Sequence, residues 1–179
     1  DEFADLYAEE LKAEGGVISG EQFVDECQVE SDLELLLPAT YVTGSSERML
    51  LYRELDSLTL DKDVEAFRNR LIDRFGPVPS ETEELLRIVP LRRLAARLGA
   101  EKVFLKGGRM SLFFISNPES PYYQSQAFGK VIAYMMKYTR RCDLREQNTR
   151  RSMLVKDVKN VETAVGVLQE IVAMQVEEG

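Results

Sequence analysis

The stretch EKVFLKGGRMSLFFIS, residues 101–116, decides the fold class of this 179-residue chain. Apolar residues alternate with polar ones on both sides of Gly107-Gly108, as they do in two half-buried strands. Consecutive glycines readily adopt the positive φ angles that a two-residue hairpin turn requires. We therefore predict an antiparallel hairpin whose buried face carries Val103, Leu105, Met110, Leu112 and Phe114.

Helical spacing dominates the sequence before this hairpin, and two helices are predicted before residue 76. The first begins near Ser45. Asp61 is placed to cap the second, which ends at Phe75 because Gly76 favours a left-handed conformation and Pro77 cannot continue the helix. The predicted apolar stripes are Met49, Tyr52, Leu55 and Leu58 on the first helix and Val64, Phe67, Leu71 and Phe75 on the second.

A third helix is predicted directly before the hairpin. Residues 80–83, Ser-Glu-Thr-Glu, match a capping box, in which the serine and glutamate side chains satisfy free backbone amides. Gly99 ends this helix. Pro90 interrupts its apolar pattern and cannot donate a backbone hydrogen bond, so we expect a kink or a break near Ile88.

The rest of the chain contains segments with the alternating pattern of strands and segments with the spacing of helices. The remaining predicted elements are a helix or arm over 3–13, a strand from Phe23 to Leu37 with a break near Ser31, a helix over 124–138, strands near 141–145 and 152–156, and a final helix capped by Asn160. Strands and helices do not alternate strictly, which argues against a doubly wound parallel fold. We predict an α+β fold with a mostly antiparallel sheet of about five strands packed with about five helices.

The composition excludes several kinds of chemistry. The chain has no histidine, so it cannot form a Ser-His-Asp or Cys-His nucleophile or a histidine metal site. Cys27 and Cys142 are too few for a disulfide scaffold and are interpreted as free, packed thiols. No segment resembles a signal peptide or a membrane span, so we expect a cytoplasmic protein. Because the chain begins with Asp1 and not with Met, we expect it to be part of a longer protein.

Charge is distributed unevenly along the chain. The net charge of −8 divides into −11 for residues 1–37, −3 for 38–90, +10 for 91–160 and −4 for 161–179. The total charge is therefore a poor guide to any one surface.

The basic segment 91–160 raises the hypothesis of a nucleic-acid-binding accessory domain. Its arginine pairs at 92–93, 140–141 and 150–151 could neutralise phosphates, and Tyr122, Tyr123 or Phe128 could stack on bases. The alternative is that the arginines lie on solvated faces or pair with the acidic N-terminal segment.

Two further patterns could carry chemistry. Residues 43–46, Thr-Gly-Ser-Ser, begin a helix and could bind an anion, but they lack the lysine and glycine spacing of a phosphate-binding loop, and we interpret them as a cap. The pairs Asp61/Asp63 and Glu83/Glu84 could serve acid-base or metal chemistry. Each occupies a first helical turn, where carboxylates stabilise free amides, so we interpret them as structural. A carboxylate-based enzyme remains a third hypothesis.

Several motifs together resemble one known family. They are LLPATYV at 36–42, ERMLLYREL at 47–55, LIDRFGPVP at 71–79 and LRRLAARLG at 91–99, followed by the glycine hairpin. In this order they resemble the C-terminal domain of bacterial transcription-repair coupling factors over roughly residues 22–175. The resemblance implies a linker or arm from a preceding translocase motor over 1–21 and the C-terminal regulatory domain over 22–179.

The resemblance also implies a function. Members of that family are ATP-dependent DNA translocases that remove stalled RNA polymerase from duplex DNA and recruit UvrA-containing excision repair. It implies a non-catalytic domain without a cofactor, because ATP binds in the motor. It further implies an autoinhibitory clamp, in which this domain packs on the UvrA-binding module of the same parent chain until polymerase engagement releases it. Such a contact would be polar and salt-sensitive.

The resemblance places this contact on the second helix and makes Asp73 and Arg74 candidate contact residues. Arg70 stands where family members tend to have an acidic residue. The spacing of the apolar stripe leaves Glu65, Arg68, Arg70 and Asp73 off the core side of the helix. The candidate interdomain contact is therefore Glu65, Arg70, Asp73 and Arg74, and the alternative is that Asp73 pairs within its own domain.

Overall fold

The structure is a computed structural model that describes residues 23–176. In this range it contains the helices α1 (Ser45–Ser57), α2 (Asp61–Phe75), α3 (Ser80–Arg97), α4 (Gln126–Lys137) and α5 (Val161–Ala173), with a 3-10 turn at Pro121–Gln124. The strands are β1 (Gln28–Ser31), β2 (Ala100–Lys106), β3 (Arg109–Phe114), β4 (Cys142–Gln147) and β5 (Arg150–Val155). This confirms the predicted α+β fold. The helix or arm predicted over 3–13 and the linker over 1–21 lie outside the described residues. Within residues 23–176, no helix combines the length and apolar character needed to cross a bilayer.

The five strands form one mixed sheet in the order β1-β2-β3-β5-β4. Neighbours pair antiparallel, except that β1 runs parallel to β2. The predicted hairpin is β2-β3, and its turn residues Gly107 and Gly108 have φ angles of 62° and 72°. These positive angles match the twist of the flanking strands.

The first strand is much shorter than the sequence predicted. Of residues 23–37, only Gln28–Ser31 pair with the sheet, so the predicted strand was too long at both ends, whereas the break predicted near Ser31 is confirmed. After Ser31 the chain turns: the Ser31 hydroxyl accepts a hydrogen bond from the amide of Leu33 at 3.0 Å. The carboxylate of Asp32 then accepts one from the amide of Gly107 at 2.9 Å, which fixes this end of β1 against the hairpin turn.

Two hydrophobic cores share helix α3. The larger core lies between one face of the sheet and helices α3, α4 and α5. The smaller core lies between α1, α2 and α3. Its fully buried members are Leu37, Val42, Leu55, Phe67, Leu71, Leu86 and Val89.

Helix α3 continues through Pro90, so the alternative of a break near Ile88 was wrong. Val89 faces the smaller core and Leu91 the larger one, and both are almost completely buried. An internal proline costs about 3 kcal/mol relative to alanine in an isolated helix. Packing on both sides of α3 offsets this cost, since burying each aliphatic side chain stabilises the fold by about 1.5–3 kcal/mol.

The predicted N-terminal caps of α2 and α3 were wrong, whereas that of α5 is confirmed. Leu60 and Pro79 occupy the cap positions of α2 and α3 and make no side-chain capping bond. The serine predicted to cap α3 is already its first helical residue, and Glu83 instead binds Arg68. Asn160 caps α5 as expected, accepting from the amide of Thr163 at 2.7 Å.

Both cysteines are buried free thiols, as predicted. Burial raises the pKa of Cys27 to about 12 and also raises the pKa of Cys142. At pH 8 we therefore expect both thiols to react far more slowly in the folded chain than in urea, because the thiolate is the reactive species. The check is the rate of labelling by an aromatic disulfide reagent, and fast labelling of either native cysteine would contradict it.

The raised pKa of Cys27 also predicts how the free energy of unfolding changes at alkaline pH. The folded pKa of Cys27 lies above the value of 9.0 that an unperturbed thiol has. The unfolded chain therefore loses this proton first, and the free energy of unfolding falls as the pH rises above about 9.

Candidate functional site

Helix α2 presents its candidate contact residues on three sides of the helix. Phe67 and Leu71 are almost completely buried and fix the inner side. With about 100° between successive residues, Arg70 and Arg74 then lie on the flank towards α1, and Arg68 lies on the flank towards α3. Asp73 lies on the outer side.

The flank towards α1 carries two ion pairs. Arg70 binds the carboxylate of Glu54, and Arg74 binds the carboxylate of Glu47. The guanidinium groups also lie over the rings of neighbouring phenylalanines: Arg70 is 5.5 Å from the Phe67 centroid, and Arg74 is 5.2 Å from that of Phe75. The side chains of Arg70 and Arg74 remain 60% and 69% exposed. Arg70 and Arg74, both predicted contact residues, thus have partners within the domain and are still accessible.

Arg68 holds the flank towards α3. The sequence placed it off the core side, as found, but it was not among the predicted contact residues. Its Nε donates to a carboxylate oxygen of Glu83 at 2.7 Å, and this hydrogen bond raises the pKa of Arg68. Glu65, a predicted contact residue, lies 3.9 Å from Arg68 one turn earlier. Arg68 therefore stays charged and ties α2 to α3.

Asp73 differs from its charged neighbours. Its side chain is exposed, and among residues 23–176 no cation lies within 4.0 Å of its carboxylate. The alternative of a partner within the domain is therefore not found in the part of the chain that the structure describes. Asp73 is left as an accessible negative charge beside the two arginines of the α1 flank.

A shallow apolar groove runs beside these charges. It has a volume of about 260 Å³, and its lining includes Leu51, Phe67, Arg70, Asp73 and Arg74. A groove of this kind gives a partner side chain apolar area to cover next to charges that orient it.

Helix α1 adds one exposed apolar residue to this region. Leu50 is 64% exposed and lies between Glu47 and Glu54 on the same side of α1, since these residues are three and four positions away. Met49 is 56% exposed on another side of α1, so the expectation that it packs inward was wrong. We call Leu50, Arg70, Asp73 and Arg74 the α1-α2 surface.

The acidic pairs considered for catalysis serve structural roles. Asp61 forms a bidentate ion pair with Arg93, with distances of 2.7 and 3.1 Å. The Glu84 carboxylate accepts from the amides of Val161 and Glu162 at 2.7 and 3.0 Å and so caps α5 from α3. Within residues 23–176, no group of three or more cysteine, aspartate and glutamate side chains is placed to hold a metal ion.

One pocket of about 400 Å³ combines carboxylates, arginines and a thiol. It lies between the segment before β1, the α1-α2 loop and α3. Arg92 lies 3.9 Å from Asp56, and the Cys27 thiol is kept protonated by its raised pKa. These groups form a partly paired, polar pocket without an activated nucleophile among them.

The aromatic residues first considered for base stacking belong to the core. Tyr122 is completely buried, and its hydroxyl donates to the carbonyl of Leu98 at 2.6 Å. Its ring lies 5.0 Å from that of Tyr123 and 5.5 Å from that of Phe128. Tyr122 therefore cannot stack on nucleic acid, and Tyr123 and Phe128 are partly buried residues that pack against the larger core.

Comparison with known proteins identifies the family. A model of the TRCF domain matches residues 31–125. The chain belongs to the TRCF domain family. Its similarity to whole proteins agrees: it is 29% identical over 150 residues to the transcription-repair-coupling factor of Rickettsia bellii, covering 80% of this chain. The corresponding protein of Staphylococcus haemolyticus is 24% identical over 146 residues, covering 78%. The TRCF domain spans only 13% and 12% of these two relatives.

The fold of this TRCF domain also matches a solved structure. The crystal structure of the C-terminal domain of a transcription-repair coupling factor superposes with a TM-score of 0.63 at 17% identity. The match covers 82% of this chain and 93% of that chain. At this identity the match shows a shared fold.

Proposed function

We propose that this TRCF domain is a non-catalytic regulatory domain of a transcription-repair coupling factor. In this proposal the α1-α2 surface packs on the UvrA-binding module of the same protein, masks that module and restrains the ATP-driven translocase. Engagement of RNA polymerase on duplex DNA releases the contact and exposes the module to UvrA.

The observation that carries this proposal is the exposed carboxylate of Asp73, which has no cationic partner within residues 23–176. An exposed carboxylate is hydrated, so leaving it unpaired costs little free energy. It gains a charge-assisted hydrogen bond when a cationic partner docks. The exposed Leu50 and the apolar groove lined by Leu51 and Phe67 supply apolar area near it. An accessible charge next to exposed apolar area is the arrangement expected at the edge of a reversible interface.

The proposal accounts for the exposed ion pairs on the α1 flank. An exposed ion pair contributes about 0–1 kcal/mol to stability, so Arg70 and Arg74 can exchange Glu54 and Glu47 for partner groups at little cost. Switching between a closed and an open state requires such near-balanced contacts. A charge-dominated contact of this kind weakens as salt rises.

The experiment that tests the proposal is a titration of this domain with the separately produced UvrA-binding module of the same coupling factor. Calorimetry at about 50 and about 300 mM NaCl should show binding that weakens with salt. Asp73→Arg should weaken it at least about tenfold, since it sets like charges against each other across the interface, which costs several kcal/mol.

The matched control is Glu119→Arg. Glu119 is exposed on the loop before the 3-10 turn, and no ion pair to it is found among the described residues. The charge change is the same, so this variant should bind like the unmodified domain. No binding at the lower salt, or equal losses in both variants, would contradict the proposal.

A further inference from the structure

We propose that the open face of the β-sheet binds single-stranded nucleic acid, with Phe104 and Phe113 as stacking platforms and the surrounding lysines and arginines as phosphate contacts. This surface is separate from the α1-α2 surface. The inference is therefore independent of the proposed regulatory contact.

The strand register defines this face. Across β2, β3 and β5, Phe104 pairs with Ser111 and Ser111 with Leu154, while Lys102 pairs with Phe113 and Phe113 with Ser152. Directly paired residues point to the same side of a sheet. We call these six residues the open sheet face.

The open sheet face points away from both cores. The alternating neighbours Val103, Leu105 and Leu112 belong to the larger core. Phe104 and Phe113 are half-buried and pack against neither core. Because side chains alternate along a strand, the two phenylalanines lie on the side opposite the helices.

The centre of the face is aromatic and is surrounded by cations. The rings of Phe104 and Phe113 lie 5.3 Å apart at an interplanar angle of 75°. The ammonium groups of Lys102 and Lys106 lie 4.7 and 5.0 Å from the Phe104 centroid. The guanidinium of Arg150 lies 5.7 Å from the Phe113 centroid. Each ring is thus accompanied by a cation that could contact the phosphate of a base stacked there.

The charge of this side of the sheet is positive, although the chain as a whole is negative. Three carboxylates, Glu30, Glu101 and Asp143, lie within 4.0 Å of cations there. The carboxylate of Asp32 lies beside them at the hairpin turn. Six cations outnumber these four carboxylates and leave a net charge of +2. The cations are Lys102, Lys106, Arg109, Arg145, Arg150 and Lys156.

A groove beside Phe113 continues this surface. It has a volume of about 520 Å³, and Arg145, Asn148 and Arg150 contribute to its lining. The Nε of Arg150 is buried and has no hydrogen-bond partner among the described residues. Buried donors are almost always satisfied, so the hydrogen bonding of the Arg150 guanidinium is incomplete in the described part of the chain.

Single-stranded nucleic acid fits this combination better than an acidic peptide or a duplex. Unpaired bases stack on aromatic side chains of open sheets while cations follow the phosphates. An acidic peptide would use the cations but would gain little from the two rings. In a duplex the base faces are stacked on each other and cannot reach the rings.

The test is a fluorescence-anisotropy titration of a labelled oligothymidylate of about 20 nucleotides, longer than one binding site, with the full chain at low salt. The double variant Phe104→Leu/Phe113→Leu keeps apolar cover but removes the rings, and it should weaken binding at least about tenfold. Lys106→Gln/Arg109→Gln should lower the slope of log affinity against log salt by about 1.4.

The matched control is Arg53→Gln/Lys62→Gln, which removes two exposed cations from α1 and α2. It should change neither the affinity nor the salt slope. No binding at low salt, or tighter binding of a duplex of the same length, would overturn the proposal. Displacement by polyglutamate together with unchanged affinity of the phenylalanine variant would assign the face to an acidic protein segment and would also overturn it.

Discussion

The Gly99→Ala variant is expected to lose about 3–4 kcal/mol of unfolding free energy. Gly99 follows α3 with a φ of +85°, and a Cβ built there lies only 2.0 Å from the Tyr122 ring. The left-handed conformation costs a residue with a side chain about 1–2 kcal/mol. Forcing an extra methyl group into a packed core costs about 1–3 kcal/mol more.

Tyr122 cannot move aside easily. It is completely buried, and its hydroxyl is bound to the carbonyl of Leu98, next to Gly99. The ring also packs edge-on against Phe23 at 5.5 Å. The overlap must therefore be relieved by shifting the junction between α3 and β2.

The measurement is urea unfolding followed by circular dichroism. The matched control is Gly166→Ala in α5, where no atom lies within 4 Å of the added Cβ. Removing a glycine from a helix interior should raise stability by about 0.5–1 kcal/mol. Similar stability of both variants would show that the Gly99 region is looser than described.

The Glu84→Ala variant has the second-largest expected effect, a loss of about 2–3 kcal/mol. Its carboxylate accepts from the amides of Val161 and Glu162 and also binds Arg87 at 3.0 Å. Hydrogen bonds to charged groups contribute about 1.5–3 kcal/mol. The variant leaves two amides at the start of α5 without these partners, although Asn160 still caps the third.

Thermal and urea unfolding measure this loss, and two control variants test whether it comes from the lost capping bonds. Glu84→Gln retains one acceptor oxygen and should lose about half as much. Glu81→Ala lies one turn earlier in α3, where no ion pair is found among the described residues, and should change stability by less than about 0.5 kcal/mol. Equal losses at positions 81 and 84 would mean that α5 does not depend on this cap.

The larger features of the fold could be predicted from local physical rules. The Gly107-Gly108 turn predicts the hairpin because glycine adopts two successive positive φ angles without strain. Gly76 and Pro77 likewise predict where α2 ends, because Gly76 favours positive φ and Pro77 cannot continue a helix. In these cases a backbone requirement leaves few residue types possible, so the sequence carries the signal.

The elements that the sequence did not predict depend on tertiary contacts. The short β1 strand pairs only with β2, far along the chain, and its length is set by that pairing. Helix α3 runs through Pro90 because both of its sides are buried, which outweighs local propensity. Glu83 resembles a capping residue in sequence but is used by Arg68, 15 positions away.

The candidate site was located by resemblance and not by spacing. Helical periodicity showed that Asp73 lies away from the core, but it could not show that Arg70 and Arg74 bind Glu54 and Glu47. The exposed Met49 was missed because an apolar residue at helical spacing is usually buried. The open sheet face carried a signal that was not used: Phe104 and Phe113 fall on the alternate positions of the hairpin, between residues predicted to be buried.

The most direct test of the central claim uses a full-length coupling factor that carries this domain. The claim is that the α1-α2 surface restrains the rest of the protein. With Asp73→Arg, capture of UvrA and the rate of ATP hydrolysis should both rise, while the matched Glu119→Arg protein should behave like the unmodified one. If neither quantity rises with Asp73→Arg in a correctly folded protein, the domain is not an autoinhibitory clamp.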